Sequence, residues 1–406
     1  MTHKPFSYGK ILAIGSGFLA LTLVWTLYNT YMPLILGDFM ESRFLRGAIM
    51  GLDNLLAVIL IPVIGTWSDR VNTRYGKRLP FILLGMPLAA LFFILLPLSA
   101  VTIWILLIID ICFLLSMTIY RAPVISLMPD HTPSEKRSTA NGIINFMGGI
   151  GALSALFALA PLYDLSRNYP FIIGGIMLVL TTVLLYLVID RNPPYVSSVE
   201  ETEEMMAVKA VKSTGTKQLV SDIRGHLLIL LAIFFYFIGY SGVEAQFSVY
   251  ATETLGVTGG EAGLALGFFS LSFVLFALPA GLIGTKMGKS PAMLVGLVML
   301  PLIFIFIPLF DSLTTVKVLL FAGGFAWALI NVQAYPLVAD LGGKTKIGFF
   351  TGLYYLFSSF SSIVAPALVG LGMDLLGNRS LFYTAAVSFV IAFFLLRRGI
   401  KSSGKF

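Results

Sequence analysis

The sequence predicts an all-alpha membrane protein with twelve transmembrane helices, arranged as two six-helix bundles related by pseudo-twofold symmetry. Three observations predict it. The 406 residues are 57% hydrophobic and only 12% charged, about half the charge of an ordinary soluble domain, and a water-soluble chain of this size could not hide so much apolar surface. Apolar runs of the ~20 residues needed to cross a bilayer recur twelve times. The two sets of six also echo each other in local sequence.

The first six runs fall at 11–36, 47–68, 80–99, 101–127, 141–161 and 170–189. The polar start MTHKPFSYGK leads directly into a long span without a small-residue cleavage pattern, so it reads as a retained first helix and not a removed signal peptide. Pro80 opens the third span, where a missing N–H is harmless, and the third and fourth are separated at the thin turn 97–102. The second set falls at 227–250, 261–284, 291–310, 315–338, 347–371 and 380–396. Between the sets the chain is polar and holds an acidic run at 200–204. The expected domains are an N-terminal bundle 1–190, a cytoplasmic linker 191–226 and a C-terminal bundle 227–406.

Charge sets the orientation. Of the 27 Lys and Arg residues, 21 fall on the same side as the N-terminus, Arg121 lies within a span, and five (Arg43, Arg46, Arg167, Lys317, Arg379) lie on the other side. This positive-inside bias predicts a multi-pass protein of the plasma (inner) membrane with both termini cytoplasmic. It also accounts for the net charge of +7 without a nucleic-acid partner. The lone Cys112 excludes an intrachain disulfide framework and reads as a packed thiol.

The halves repeat in detail. The stretch GTWSDRVNTRYGKRLP (65–80) has a counterpart in GLIGTKMGKSP (281–291), with a Gly, a basic residue, Gly-Lys and a Pro that opens the next helix. The fourth spans end in APVISLMPD (122–130) and AYPLVAD (334–340), and the fifth begin with NGIINFMGG (141–149) and TGLYYLFSS (351–359). Such repeats suit alternating access about a central site.

The loop at 65–80 is not a phosphate-binding P-loop, because helices flank it and Gly76-Lys77 is followed by Arg78, not Ser or Thr. Its basic residues also suit an anionic lipid surface. GTWSDRVNTRYGKRLP resembles the cytoplasmic loop signature of the major facilitator superfamily. The spacing of Ser68, Asp69 and Arg70, of Arg74, Gly76, Lys77 and Arg78, and of Pro80-Phe81-Ile82 is similar to that of the sucrose transporters and their bacterial glycoside–cation symporter relatives. WTLYNTYMP (25–33), YRAPVISLMPD (120–130) and Ala140-Asn141-Gly142 extend the likeness through most of the first half. The resemblance implies cation-coupled sugar uptake by alternating access. In it, Asp69, Arg70, Arg74, Gly76, Lys77 and Arg78 form a gating loop whose Asp69 engages a helix end or a basic partner in one state and releases it in another. The sequence departs from the melibiose-type subgroup, because Ala57 and Ile61 stand where that subgroup has paired acids. A sodium site is therefore not expected, and the coupling ion is taken to be a proton, with no cofactor and no metal.

Four ionisable residues lie within spans: Asp53, Asp110, Arg121 and Glu244. Unpaired charge in hydrocarbon is costly, so such groups are functional candidates by default. Glu244 shares a helix face with Tyr236 and Tyr240, each four residues apart, and both phenols are substrate-binding candidates. Asp110 and Arg121 are eleven residues apart on the fourth helix, about 16 Å, too far for a direct pair. Glu244, Asp110 and Asp53 are the proton-coupling candidates. Arg121 is a substrate-binding candidate, a role the sucrose-transporter resemblance also implies.

Candidate lining groups for a polar solute come from same-face pairs: Trp25 and Asn29 with Tyr28 in the first helix, Asn141 and Asn145 in the fifth, Trp327 and Asn331 in the tenth. Gln246, Gln333 and Tyr335 rank behind them. Aromatic faces with amides suit a pyranose ring, so the expected solute is a sugar or glycoside. The alternative is a facilitator-type transporter of another small solute, an organic acid held by Arg121 or an amphipathic drug or lipid that is exported. The protein is expected to act as a monomer. An enzyme is not expected, because His3, His131 and His226 lie outside the core and no clustered acid, Cys or His set suggests a nucleophile or metal.

Overall fold

The computed structural model describes residues 7–191, Pro193, Tyr195, 216–341 and 347–403. Among them are twelve helices long and apolar enough to cross a membrane: α1 (Tyr8–Gly37), α2 (Arg43–Arg70), α3 (Leu79–Leu98), α4 (Ile103–Asp130), α5 (Thr139–Leu165), α6 (Asn168–Val188), α7 (Gly225–Leu255), α8 (Gly259–Met287), α9 (Lys289–Leu309), α10 (Leu313–Leu341), α11 (Phe349–Leu376) and α12 (Ser380–Ser402). All twelve expected spans are present. The cut between the third and fourth falls at Ser99–Thr102, where the Thr102 hydroxyl accepts from the Ile105 N–H and caps α4. The acidic run at 200–204 and most of the expected linker lie outside the described residues.

Local chemistry explains the irregularities. Within α5 one turn, Ser154–Leu159, widens to π-helical geometry just before Pro161, because proline has no N–H to give and crowds the preceding turn. The start of α8 carries a capping box, with Thr258 and Glu261 satisfying each other's backbone N–H groups. Outward faces are as apolar as the core. Leu187, Leu278 and Leu376 are 71%, 75% and 78% exposed, which is stable in hydrocarbon and would not be in water.

The chain divides into two compact units, Met1–Phe39 with Leu56–Met205, and Met40–Leu55 with Met206–Phe406. In the first, α1 packs on α5 and α6, and α3 packs on α4 and α6. In the second, α7 packs on α11 and α12, α9 packs on α10 and α12, and α8 lies against α10. The pairings α1–α5, α1–α6, α3–α4 and α3–α6 therefore recur as α7–α11, α7–α12, α9–α10 and α9–α12. The repeat seen in the sequence is a repeat of packing. Small residues permit the closest approaches: a Cβ at Gly151 would lie 2.3 Å from the Leu19 carbonyl oxygen, and one at Gly324 would lie 2.2 Å from that of Phe269.

The second unit includes the N-terminal part of α2. There a Cβ at Gly47 would stand 2.1 Å from the Pro366 carbonyl oxygen, and one at Gly51 would stand 2.4 Å from that of Ile363. Backbone meets backbone along α2 and α11, and Gln246 ties both to α7 by donating to the carbonyls of Arg43 (3.0 Å) and Pro366 (3.2 Å).

Candidate functional site

In the first unit the interior charges of α4 are matched by aromatic residues of α1. Asp110 is fully buried and faces the hydroxyl of Tyr28, itself fully buried. Eleven residues further along α4, the Arg121 guanidinium lies 5.2 Å from the centre of the Trp25 ring. Trp25 and Tyr28 are one turn apart on α1, with ring centres 6.0 Å apart, and Tyr28 packs on Phe113 at 5.3 Å. The helices run in opposite directions, so the two α1 rings bridge the two charges that helix geometry keeps apart. Arg121 is half-buried and makes no ion pair among the described residues.

The second unit holds a larger aromatic cluster. Tyr240 stacks on Trp327 with ring centres 4.1 Å apart and planes 3° from parallel, while Tyr236 and Phe237 meet the same indole edge-on at 5.6 and 5.9 Å. The Tyr236 and Tyr354 hydroxyls interact, and Glu244 lies close enough to Tyr240 to influence it electrostatically. The face shared by Tyr236, Tyr240 and Glu244 is thus directed at α10. Trp327 is almost wholly buried, with its face covered by Tyr240, and Asn331 sits half-buried one turn beyond it. Asp53 is buried in the part of α2 that belongs to this unit.

The amides divide. Gln246 and Gln333 hold helices together, the latter by donating to the Ala280 carbonyl at 2.9 Å. The Asn145 side chain donates to the Asn141 carbonyl at 2.9 Å, and both residues are exposed. Asn29 is half-buried on α1, and Tyr335 is exposed with its hydroxyl 3.5 Å from that of Thr351.

In the loop after α2, Arg78 is the centre. Its guanidinium pairs with Asp69 at 2.5 Å and Asp130 at 3.0 Å and donates to the Ser68 hydroxyl at 2.6 Å. Sequence reasoning singled out Asp69 and read Asp130 only as the end of a repeat. Yet the Asp130 side chain is 6% exposed against 50% for Asp69, so Asp130 is the buried partner. The second unit repeats the pair at the corresponding helix ends, where Lys289 of α9 meets Asp340 of α10 at 2.5 Å. Breaking a buried pair costs about 3–5 kcal/mol, whereas an exposed one is worth at most about 1 kcal/mol. Asp130→Asn is therefore expected to lower the thermal unfolding midpoint in detergent clearly, and Asp69→Asn only slightly. Equal shifts would remove Arg78–Asp130 as the structural member.

A third cluster went unread in the sequence. Asp374 accepts from the N–H groups of Arg43 (2.9 Å) and Phe44 (3.0 Å) and from the Ser42 hydroxyl (2.8 Å), capping α2 across 331 residues. Glu253 pairs with Arg43 and with Arg46 (3.0 Å) and accepts from Asn378 (3.1 Å). The available signal was that arginines on the charge-poor side need partners. Among the described residues no group of three His, Cys, Asp or Glu side chains is arranged to hold a metal ion.

Twelve apolar helices in repeated packing, with charges buried inside spans and ion pairs at the helix ends, make a secondary transporter and not an enzyme. The chain matches the Major Facilitator Superfamily over residues 14–257 and 229–405, and it belongs to that family; it works by alternating access. It is 24% identical over 375 residues to an uncharacterised transporter of the same type from Methanocaldococcus jannaschii, covering 90% of this chain and 88% of that one. The class B tetracycline resistance protein of Escherichia coli is 24% identical over 348 residues, covering 83% and 82%. Among solved structures, a bacterial homologue of the human lysosomal transporter Spinster, inward-facing and occupied, superposes with a TM-score of 0.77 at 17% identity over 99% of this chain and 98% of that one. A POT-family transporter in complex with 5-aminolevulinic acid gives 0.72 at 15% identity over 99% of each. At such identities these structures share the fold alone. None of these relatives points specifically to the sucrose or glycoside–cation symporters.

Proposed function

We propose that this protein carries an amphipathic small solute with an acidic group, coupled to protons. One observation carries the reading: Arg121 is held over Trp25, half-buried and without an ion pair among the described residues. A guanidinium of this kind presents several fixed donors to a carboxylate or phosphate, and the adjoining indole supplies an apolar wall. The sugar reading loses ground on the same page. It needs open aromatic faces and uncommitted amides, but Trp327 is covered by Tyr240, Trp25 is covered on one side by Arg121, and Asn145 is bonded within its own helix. The name of the tetracycline-resistance relative also favours a solute that is not a sugar.

In this reading the chain comprises the bundles 1–190 and 227–406 with the linker 191–226 between them in sequence, and the charge bias supports both termini in the cytoplasm. Asp110 is the first candidate for the coupling proton, since a fully buried carboxyl without an ion pair is costly as an anion, with Glu244 and Asp53 behind it. The gating loop 68–78 holds one state through Arg78. Thermal unfolding of the purified protein, titrated with aromatic carboxylates, disaccharides and amphipathic cations at acidic and neutral pH, tests the solute class by linkage. Saturable stabilisation by the carboxylates is expected, and stabilisation by a disaccharide with carboxylates silent would restore the sugar reading.

A further inference from the structure

The two ends of the helices treat their arginines differently. On the charge-poor side Arg43 and Arg46 share Glu253, Arg167 pairs with Asp38, and Arg379 pairs with Asp311. At the opposite end, Arg70, Arg74, Lys77 and Arg191 make no ion pair among the described residues. The nearby acid Asp69 is already committed to Arg78.

Two of these cations are brought to one ring. The Arg74 guanidinium lies 4.7 Å from the centre of Tyr75, and it donates to that hydroxyl at 2.7 Å. The guanidinium of Arg191, just beyond α6, lies 5.6 Å from the same ring. The arrangement is built and not incidental. Thr73 and Gly76 close a tight turn, with the Gly76 N–H donating to the Thr73 carbonyl and the Thr73 hydroxyl donating to that of Gly76, both at 2.9 Å. Gly76 has φ +87, and a Cβ there would stand 2.1 Å from the Arg191 carbonyl oxygen. Only glycine lets the turn seat against Arg191 and present Tyr75 to it. Two like charges sharing a ring repel, and the ring's quadrupole offsets only part of that; an anion placed against both removes the rest.

The surroundings identify where that anion comes from. Trp67, 60% exposed, lies one turn before Arg70 on α2, and Tyr186, 39% exposed, packs 6.3 Å from Tyr75 at the end of α6 beside the exposed Leu187. Outward-facing Trp and Tyr at helix ends mark the headgroup level of a bilayer. An apolar surface thus rises to the clamp from the hydrocarbon side. We propose that Arg74, Tyr75 and Arg191, flanked by Arg70 and Lys77, bind the phosphate of an anionic glycerophospholipid whose acyl chains lie along α2 and α6. Free phosphate shares the headgroup chemistry but makes no use of the apolar flank.

The test uses the full chain in neutral detergent, with thermal unfolding followed during addition of phosphatidylglycerol, of phosphatidylcholine with the same acyl chains, or of inorganic phosphate. Phosphatidylglycerol is expected to raise the midpoint saturably and phosphatidylcholine much less. In R74Q/R191Q the apparent affinity for phosphatidylglycerol should fall roughly tenfold or more, and in K317Q, on the opposite side, it should not change. The quantity read is the difference between the two lipids, which a general loss of stability leaves in place. Should R74Q/R191Q fail to fold, Tyr75→Leu, which removes the shared ring while keeping both charges, is expected to weaken the same difference. Equal responses to both lipids, an unchanged difference in the variants, or a full shift produced by inorganic phosphate alone would each overturn the proposal.

Discussion

Asp110→Asn is expected to lower proton-driven transport by roughly a hundredfold or more while leaving solute binding within about twofold. The asparagine keeps the shape of the side chain and an oxygen facing Tyr28, but it cannot carry a proton. Asp110 has no exposed surface and no ion pair among the described residues, so any charge it bears is unusually costly. A group in that position alternates most economically by gaining and losing a proton as the site changes its access to water. Glu244 is half-buried beside Tyr240, and Glu244→Gln is expected to have the smaller effect. Uptake into vesicles under an imposed pH gradient, compared with ligand-induced stabilisation of the same variants, separates coupling from binding. Wild-type pH-driven uptake by Asp110→Asn would remove Asp110 from the proposed coupling role and leave Glu244 and Asp53 as the candidates.

The sequence made some of this legible and left other parts hidden, for physical reasons. A bilayer demands a long apolar run for each crossing, so α1 to α12 stand out, including the division of 80–127 at Ser99–Thr102. Charges in such runs are conspicuous, and Asp110, Arg121 and Glu244 could be found by inspection. Helical spacing also put Tyr236, Tyr240 and Glu244 on one face. Spacing gives the face but not what covers it. That Trp327 is sealed by Tyr240, or that Gln333 is used up on Ala280, depends on contacts between helices far apart in the chain. The same holds for charge pairing. Arg78 lies nine residues from Asp69 and 52 from Asp130, and the distant carboxylate is the buried one. Asp374 caps a helix that begins 331 residues earlier, where no local signal could name it.

Arg121 governs the other large effect. Arg121→Gln is expected to weaken binding of an aromatic carboxylate by roughly tenfold to a hundredfold, the loss of a charge-assisted contact of about 1.5–3 kcal/mol. A neutral analogue of the same shape should bind equally well to both proteins, because the variant removes charge and leaves the aromatic residues in place. Arg121→Lys distinguishes charge from geometry. A lysine restores the positive charge but not the planar group that lies over Trp25 at 5.2 Å, and its ammonium forms a point contact where the guanidinium offers two parallel donors. Its expected affinity falls between the other two. Trp25→Leu should act through the same contact by releasing the guanidinium from its fixed position, so a double variant with Arg121→Gln should lose much less than the two single losses combined. Titration of the five proteins, wild type and four variants, by ligand-induced stabilisation reads all of these quantities. If the carboxylate and its neutral analogue weaken equally in Arg121→Gln, the residue is a packing element of α4 and the proposed recognition of an acidic group by Arg121 falls.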